Sequence, residues 1–144
     1  MKFYVRISIC ISLCSLLYSC ATISGFDQYA YTQATSIKVD ALNVMSMANE
    51  NYADHLQDVS AVNTEIQKIY EYEKNRPRNA ITTKMWAKMI DTMGHLYGGF
   101  MHRWKNQGKL STAFIENERD LIAQSFDQIA GLESKKIKPS SIAN

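Results

Sequence analysis

The feature that most constrains the fold is a long stretch without helix-breaking residues. No glycine or proline occurs between Phe26 and Arg76, and apolar side chains recur there at steps of three and four residues. Because this spacing places apolar side chains on one side of an α-helix, residues 27–74 are predicted to be helical. One unbroken helix would be about 70 Å long, whereas the polar, cap-favouring residues at positions 49–51 are equally consistent with two helices.

Pro77 separates this stretch from a second helical segment. Residues 76–79 are a predicted loop, because the residue before a proline disfavours helical geometry. Thr82 or Thr83 is the predicted cap of the helix that follows. Three glycines weaken this helix by about 1 kcal/mol each and predict either a kink or the close approach of a neighbouring helix: Gly94, Gly98 and Gly99.

Gly108 ends the second segment, and Ser111 or Thr112 begins a last helix. The 144 residues contain six glycines and two prolines, which are too few turn-forming residues for a fold of many short strands joined by turns. The predicted fold class is therefore all-α: a helical bundle of three to four helices, with a long N-terminal helix or helix pair, over residues 27–133. Residues 134–144 are predicted to form a basic, flexible tail.

The first twenty residues have the features of an export signal. Lys2 and Arg6 are basic, and residues 7–18 carry no charge. This apolar segment is too short to cross a bilayer as a helix, which needs about 20 residues. The segment ends in Leu17-Tyr18-Ser19-Cys20. This motif resembles the lipobox of bacterial lipoproteins, although a tyrosine departs from the small or β-branched residue that is usual at its position.

The resemblance implies cleavage before Cys20, with residues 1–19 as the signal peptide, a covalent lipid such as palmitate on Cys20 and a short tether over residues 20–26. Ala21 implies the outer membrane in families that sort by this position, so the expected location is lipid-anchored and facing the periplasm. The alternatives are the outer leaflet of the inner membrane and secretion after cleavage nearby. No cysteine follows Cys20, which excludes disulfides and catalytic thiols from the remaining chain.

Charge is divided between the two halves of the chain that follows the signal segment. Residues 21–73 carry eight acidic and two basic side chains, and the remainder carries six acidic and twelve basic ones. One interpretation is that an acidic helix packs on basic helices. The other is that a basic face binds an anionic partner such as lipid headgroups, cell-wall polymer or an acidic protein, but not nucleic acid. The candidate partner-binding residues are Arg76, Arg78, Lys84, Lys88, Arg103 and Lys105.

Few residues have a spacing that indicates a metal site. Asp91, His95 and His102 could share one side of a helix and bind zinc. Met85, Met89 and Met93 are four residues apart, and thioethers are suitable ligands for Cu(I) in an exported protein. The alternative interpretation is that the histidines are surface residues and the methionines fill the core. No resident cofactor is predicted, and Met89, Met93, His95 and His102 remain the only weak metal candidates.

The sequence contains no recognisable catalytic motif, such as a nucleophile elbow, a phosphate-binding glycine loop or a zinc-protease helix. His55 lies beside Asp54 on an acidic stretch and is interpreted as part of a solvated face. The leading hypothesis is a non-enzymatic, periplasm-facing lipoprotein that binds another envelope component. The alternative is an inhibitor or immunity-type lipoprotein that blocks a toxin, phage factor or hydrolase, and a third hypothesis is a Cu(I) carrier.

Overall fold

The computed structural model describes residues 25–142 and is an all-α bundle. In this range it contains five α-helices, which we number α1 Gln28–Ser46, α2 Leu56–Lys74, α3 Ala80–Ile90, α4 Tyr97–Gln107 and α5 Thr112–Glu133. Two short 3₁₀-helices cover Tyr52–His55 and Pro139–Ser141. The prediction of an all-α bundle is confirmed, with one helix more than expected. The signal segment, the lipobox and Cys20 lie outside the described residues.

The N-terminal helical stretch is a pair of helices, because the chain turns at the polar residues that the sequence singled out. Asp27 caps the N-terminus of α1, because its side chain accepts a 3.0 Å hydrogen bond from the Ala30 N–H. The helix ends at Ser46, and Asn51 then caps the 3₁₀-helix that leads into α2. Asparagine side chains compete for backbone hydrogen bonds and favour such positions over helix interiors. Of the two alternatives, the helix pair is the one observed.

The loop around Pro77 is present, but the cap of the next helix differs from the prediction. α3 begins at Ala80, so Thr82 and Thr83 lie inside the helix. Thr82 is fully buried, and the Thr83 hydroxyl donates a 2.8 Å hydrogen bond to the Asn79 carbonyl one turn earlier. The helix therefore starts before both predicted threonines. The Thr83 hydroxyl bonds backwards along the helix, and the buried Thr82 hydroxyl has no hydrogen-bond partner among the described residues.

The predicted second helix is divided into α3 and α4. Asp91 leaves the helix with an extended ψ of 111°, and its carboxylate accepts a 2.9 Å hydrogen bond from the Met93 N–H. α4 then packs closely against the end of α3, because a Cβ built on Gly98 would lie 2.6 Å from the Ile90 carbonyl oxygen. The glycines thus allow both effects that the sequence left open: a break in the helix and a close crossing.

The last helix begins as predicted and ends in a backbone motif that fixes part of the expected tail. Ser111 caps α5 by accepting a hydrogen bond from the Phe114 N–H. After Glu133 the chain reverses through Lys135, which has a φ of +58°. The Lys135 N–H donates to the Leu132 carbonyl at 3.0 Å and the Ile137 N–H to the Gly131 carbonyl at 3.1 Å, so a left-handed residue after the helix turns the chain back onto the last turn of α5. Residues 134–137 are therefore held against the end of α5.

One core joins all five helices. α1 packs most extensively on α5 and also on α2, and α2 packs on α3. Trp86 of α3 is fully buried and meets Phe126 of α5 edge to face, with ring centroids 5.9 Å apart. The remaining large and fully buried side chains come from every helix: Trp104, Tyr97, Ile37, Met45, Ile66, Ile69, Met89, Ile122, Ile129 and Leu132.

The bundle has two ends that are important for the site. At the Gly25 end, the N-terminus of α1 meets the C-termini of α2 and α5 and the start of α3, through hydrogen bonds of Arg76 to Gly25 and Glu133. At the Gly108 end, the Leu110 N–H donates to the Ala48 carbonyl and the Tyr52 N–H to the Gly108 carbonyl, each at 2.8 Å. Within residues 25–142, none of the helices has the length and hydropathy needed to span a bilayer.

Candidate functional site

Arg76, one of the predicted partner-binding residues, is buried at the Gly25 end. Its Nη1 donates to Glu73 Oε2 at 2.6 Å and to Glu133 Oε2 at 2.7 Å, and its Nη2 donates to the Gly25 carbonyl at 3.0 Å. Only 9% of the Arg76 side chain is exposed. A guanidinium held in this way has little surface left for a partner, and its contacts give Arg76 a structural part in this end of the bundle.

The two carboxylates of this cluster are more deeply buried than the arginine. Glu73 is completely buried and Glu133 is 2% exposed. Burial and the negative charge of Glu133 raise the pKa of Glu73 to about 7, whereas Arg76 and the Asn79 amide act in the opposite direction. The pKa is thus close to neutrality, and both carboxyl groups are buried around the Arg76 guanidinium. The cluster therefore stabilises the bundle end.

A second shared contact fixes the start of α1 to the same end. The Tyr72 hydroxyl donates a 2.6 Å hydrogen bond to Asp27 Oδ2, and Arg76 Nε lies 3.6 Å from the same oxygen. The Tyr72 hydrogen bond lowers the pKa of Asp27, with smaller contributions from the Ala30 N–H and Arg76. The first residue of the helical domain is therefore held by α2, and the chain enters the bundle at a fixed place.

The other five predicted basic residues are exposed: Arg78, Lys84, Lys88, Arg103 and Lys105. Arg78 lies in the loop before α3 with a φ of +58°, and the rest are divided between α3 and α4. The Arg103 guanidinium carbon lies 4.2 Å from the centre of the Phe114 ring, a cation–π geometry. These side chains do not form one compact cluster but follow the outer surface of two consecutive helices.

Two of these lysines line cavities between helices. Lys88 lines a cavity of about 430 Å³ between α3 and α5, together with Gln128 of α5 and Ile142 of the C-terminal segment. Lys105 and His102 line a cavity of about 270 Å³ between α2 and α4. Each cavity therefore combines a cationic side chain with neutral polar groups, and such a cavity suits an anionic or hydrogen-bonding group of a ligand.

The acidic half forms a separate surface between α1 and α2. Asp40 of α1 and Asp58 and Glu65 of α2 line a groove of about 270 Å³ that also contains apolar side chains. Leu56, 54% exposed, lines a neighbouring cavity that shares Ala61 and Glu65 with this groove, and Val39, next to Asp40 in the chain, is 57% exposed. Carboxylates around an apolar floor suit a cationic partner better than an anionic one.

The two halves neutralise each other at few places within the described chain. Between the halves, Arg76 pairs with Glu73 and Asp27, Lys74 with Glu71, and Lys38 with Asp127 at 2.5 Å. The Arg76–Glu133 pair lies within the basic half. The Lys38 pair is opposite to the expected polarity, since its base comes from the acidic half and its acid from the basic half. Complementary packing of the halves is thus concentrated at the Gly25 end, and most of the remaining charges face solvent.

The metal candidates do not converge. Met89 is fully buried in the core, whereas Met93 is 82% exposed on the α3–α4 connection. His95 is exposed, and His102 forms a 3.2 Å hydrogen bond with Asn106. Among residues 25–142 no three His, Cys, Asp or Glu side chains are arranged to hold a metal ion. Met85 and Met89 do line one cavity together, which fits the core-filling interpretation of these thioethers.

His55 has more partners than the sequence indicated. Its Nε2 lies 2.9 Å from Glu50 Oε2 and its Nδ1 lies 3.6 Å from Asp58 Oδ2. The imidazole is also 5.7 Å from the ring of Trp104, measured between centroids. The neighbouring acids at i−5 and i+3 were visible in the sequence, but Trp104 is 49 residues away and became a neighbour only through the fold. Through its contacts with Asp58 and Trp104, His55 joins the start of α2 to α4 at the Gly108 end of the bundle.

Comparison of the chain with known protein families, curated proteins and solved structures found no match.

Proposed function

We propose that this protein is a lipid-anchored, non-enzymatic binding protein of a bacterial envelope. In this proposal Cys20 carries the lipid, the bundle faces the periplasm from the outer membrane, and the exposed basic side chains of α3 and α4 bind an anionic envelope component. The observation that supports it best is the separation of charge described above. The basic residues of α3 and α4 remain exposed instead of pairing with the acidic helices.

The cavity at Lys88 is the preferred contact site. It lies between two helices, and it is lined by Lys88, by the neutral polar side chains Ser125 and Gln128, and by apolar side chains. Lys84 is exposed one turn earlier on the same helix. Two cations on one side of a helix attract an anionic polymer or an acidic protein surface and raise its local concentration. Attachment of the protein to a membrane would raise the effective concentration of such a partner further.

Crosslinking in intact cells, followed by capture of the protein from membranes, tests this proposal. The matched variants are Lys88→Glu and Lys68→Glu, because both reverse one exposed lysine on a helix and Lys68 lies on the acidic α2. We expect one stoichiometric envelope component with the wild type and with Lys68→Glu, and at least about fivefold less with Lys88→Glu. Capture of no stoichiometric component, or equal capture by all three proteins, contradicts the proposal.

The acidic groove between α1 and α2 favours a second candidate function. An inhibitor or immunity-type lipoprotein that blocks a cationic toxin or hydrolase would use Asp40, Asp58 and Glu65 in this groove. In that case deletion of the gene sensitises cells to the toxic protein, and Asp40→Asn with Asp58→Asn reproduces the deletion, whereas Lys88→Glu does not. Protection that persists in the double variant argues against this candidate.

A further inference from the structure

The Gly25 end carries most of its exposed charge as cations. Five basic residues at this end are exposed: Lys74, Arg78, Lys135, Lys136 and Lys138. Lys74 ends α2, Arg78 follows in the loop, and residues 135–138 belong to the turn that closes α5. The cluster of Arg76 with Glu133 brings the ends of these two helices together, so residues 60 positions apart in sequence share one end of the bundle.

The acids at the same end are largely withdrawn from solvent. Glu73 and Glu133 are buried against Arg76, and Asp27 is hydrogen-bonded to Tyr72. Glu71 is exposed and lies 3.3 Å from the Lys74 ammonium. The exposed side chains at this end therefore carry a net positive charge. By contrast, the Gly108 end mixes basic residues of α4 with the exposed acids Glu50 and Asp54.

Exposed aromatic side chains border this basic end. Phe26 is 55%, Tyr29 is 50% and Tyr72 is 37% exposed. The rings of Tyr29 and Tyr72 meet edge to face with centroids 4.9 Å apart. Tyrosine, which has an apolar ring and a polar hydroxyl, is favoured at the boundary between a membrane and water, and an exposed phenylalanine ring adds apolar surface that such a boundary can bury.

The chain also enters the bundle at this end. The Gly25 carbonyl is held by Arg76, and only four residues separate Gly25 from Cys20. Five backbone steps span at most about 18 Å. If Cys20 carries the lipid, as in the proposed function on which this step rests, the anchor keeps the Gly25 end close to the headgroups and keeps the Gly108 end away from them.

We propose that the Gly25 end of the bundle docks on anionic phospholipid headgroups, with Arg78, Lys135 and Lys136 as the central contacts and Phe26 and Tyr29 at the interface. Contact between the Gly25 end and the headgroups sets the orientation of the anchored protein relative to the membrane. The α1–α2 groove and the Lys88 cavity then lie along the sides of an upright bundle, where an envelope component can approach them.

Lysine acetylation of the full chain, purified from membranes and placed on vesicles, tests the docking. One vesicle contains phosphatidylcholine alone and the other contains added phosphatidylglycerol. On the anionic vesicles we expect the acetylation rates of Lys74, Lys135 and Lys136 to fall at least about fivefold, because each contact to an anionic surface contributes about that factor. High salt should restore the rates, since headgroup attraction is screened within a Debye length. Lys105 and Lys109 at the Gly108 end serve as internal references and should keep their rates.

Two triple variants provide the matched control. Arg78→Gln with Lys135→Gln and Lys136→Gln removes three cations from the Gly25 end, and Arg103→Gln with Lys105→Gln and Lys109→Gln removes three from the other end. We expect the first to abolish the protection of Lys74 and the second to leave it intact. Equal acetylation on both vesicles, or protection that both triple variants retain, overturns the docking surface.

The mass of the peptide that contains Cys20 distinguishes a failure of the docking surface from a failure of the proposed lipid anchor. A chain that carries no lipid but shows salt-sensitive protection of Lys135 on anionic vesicles supports the docking surface and contradicts the anchor. A lipidated chain without protection supports the anchor and overturns the docking surface.

Discussion

The Arg76 guanidinium donates a 2.7 Å hydrogen bond to Glu133, a residue 57 positions later in the chain. This contact joins the loop after α2 to the last turn of α5, and the second hydrogen bond of the same Nη1, to Glu73, adds a carboxylate from α2. Replacing one partner of a buried ion pair leaves an uncompensated charge and is more costly than replacing the whole pair. The cluster therefore controls the integrity of the Gly25 end.

Substitution of Arg76 is expected to be strongly destabilising. Arg76→Gln leaves Glu73 and Glu133 facing each other in a buried site and should lower the free energy of unfolding at pH 7.5 by about 3–5 kcal/mol. Arg78→Gln is the matched control, because Arg78 is exposed two residues later, and it should change stability by less than about 0.5 kcal/mol. Urea unfolding followed by circular dichroism measures both. Similar stability of the two variants would show that the cluster does not hold the helix ends together.

The pKa of Glu73 predicts the direction of a pH effect. The folded-state pKa is about 7, against 4.5 for the free group, so the folded protein binds this proton more tightly than the unfolded chain does. The stabilisation is complete below pH 4.5 and is lost as the pH rises through 7. Relative to Glu73→Gln, which cannot ionise, the wild type should lose on the order of 3 kcal/mol between pH 4.5 and pH 8.

The measurement is the unfolding free energy of both proteins at several pH values, with Glu116→Gln as the control for loss of an exposed carboxylate on α5. Glu116→Gln retains Glu73, so it should lose stability relative to Glu73→Gln over this pH range, as the wild type does. A wild type that gains stability relative to Glu73→Gln as the pH rises would mean that folding lowers the pKa of Glu73 instead of raising it, and would contradict this prediction.

The crossing of α3 and α4 depends on Gly98. A Cβ at this position would lie 2.6 Å from the Ile90 carbonyl oxygen and 2.8 Å from that of Asp91. Since both neighbours are backbone atoms, they cannot move away by a rotamer change, and Gly98→Ala should destabilise the protein by about 1–3 kcal/mol. Gly25→Ala is the control, because nothing lies within 4 Å of a Cβ there. A thermal shift as small for Gly98→Ala as for Gly25→Ala would argue against the close crossing.

Local signals in the sequence predicted much of the fold. The helical period, the polar residues at 49–51, Pro77 and Gly108 mark helix boundaries that the structure contains, because each acts on its own backbone. The division of the second helix was harder to predict, since the sequence alone does not distinguish a kinked helix from two helices that cross at Gly98. Asp91, which accepts the Met93 N–H, was the local indication of the break.

The candidate site was less predictable because burial is a property of the whole fold. Arg76 resembled the other basic residues around it, and only the Glu73 three positions earlier hinted at a pair. Its second partner, Glu133, lies on a helix whose packing position no local pattern specifies. For the same reason the core-filling interpretation holds for Met89 and is wrong for Met93, which is 82% exposed one turn later, since the chain leaves the helix between them at Asp91.

The measurement that tests the central claim most directly is the mass of the N-terminal peptide of the protein isolated from cell membranes. The account predicts a chain that begins at Cys20 and carries diacylglycerol, with or without a further acyl chain, and it predicts that Cys20→Ser is released from the membrane fraction or remains unprocessed. A mature chain cleaved elsewhere without lipid, or a Cys20→Ser protein that is processed and membrane-bound like the wild type, would contradict it.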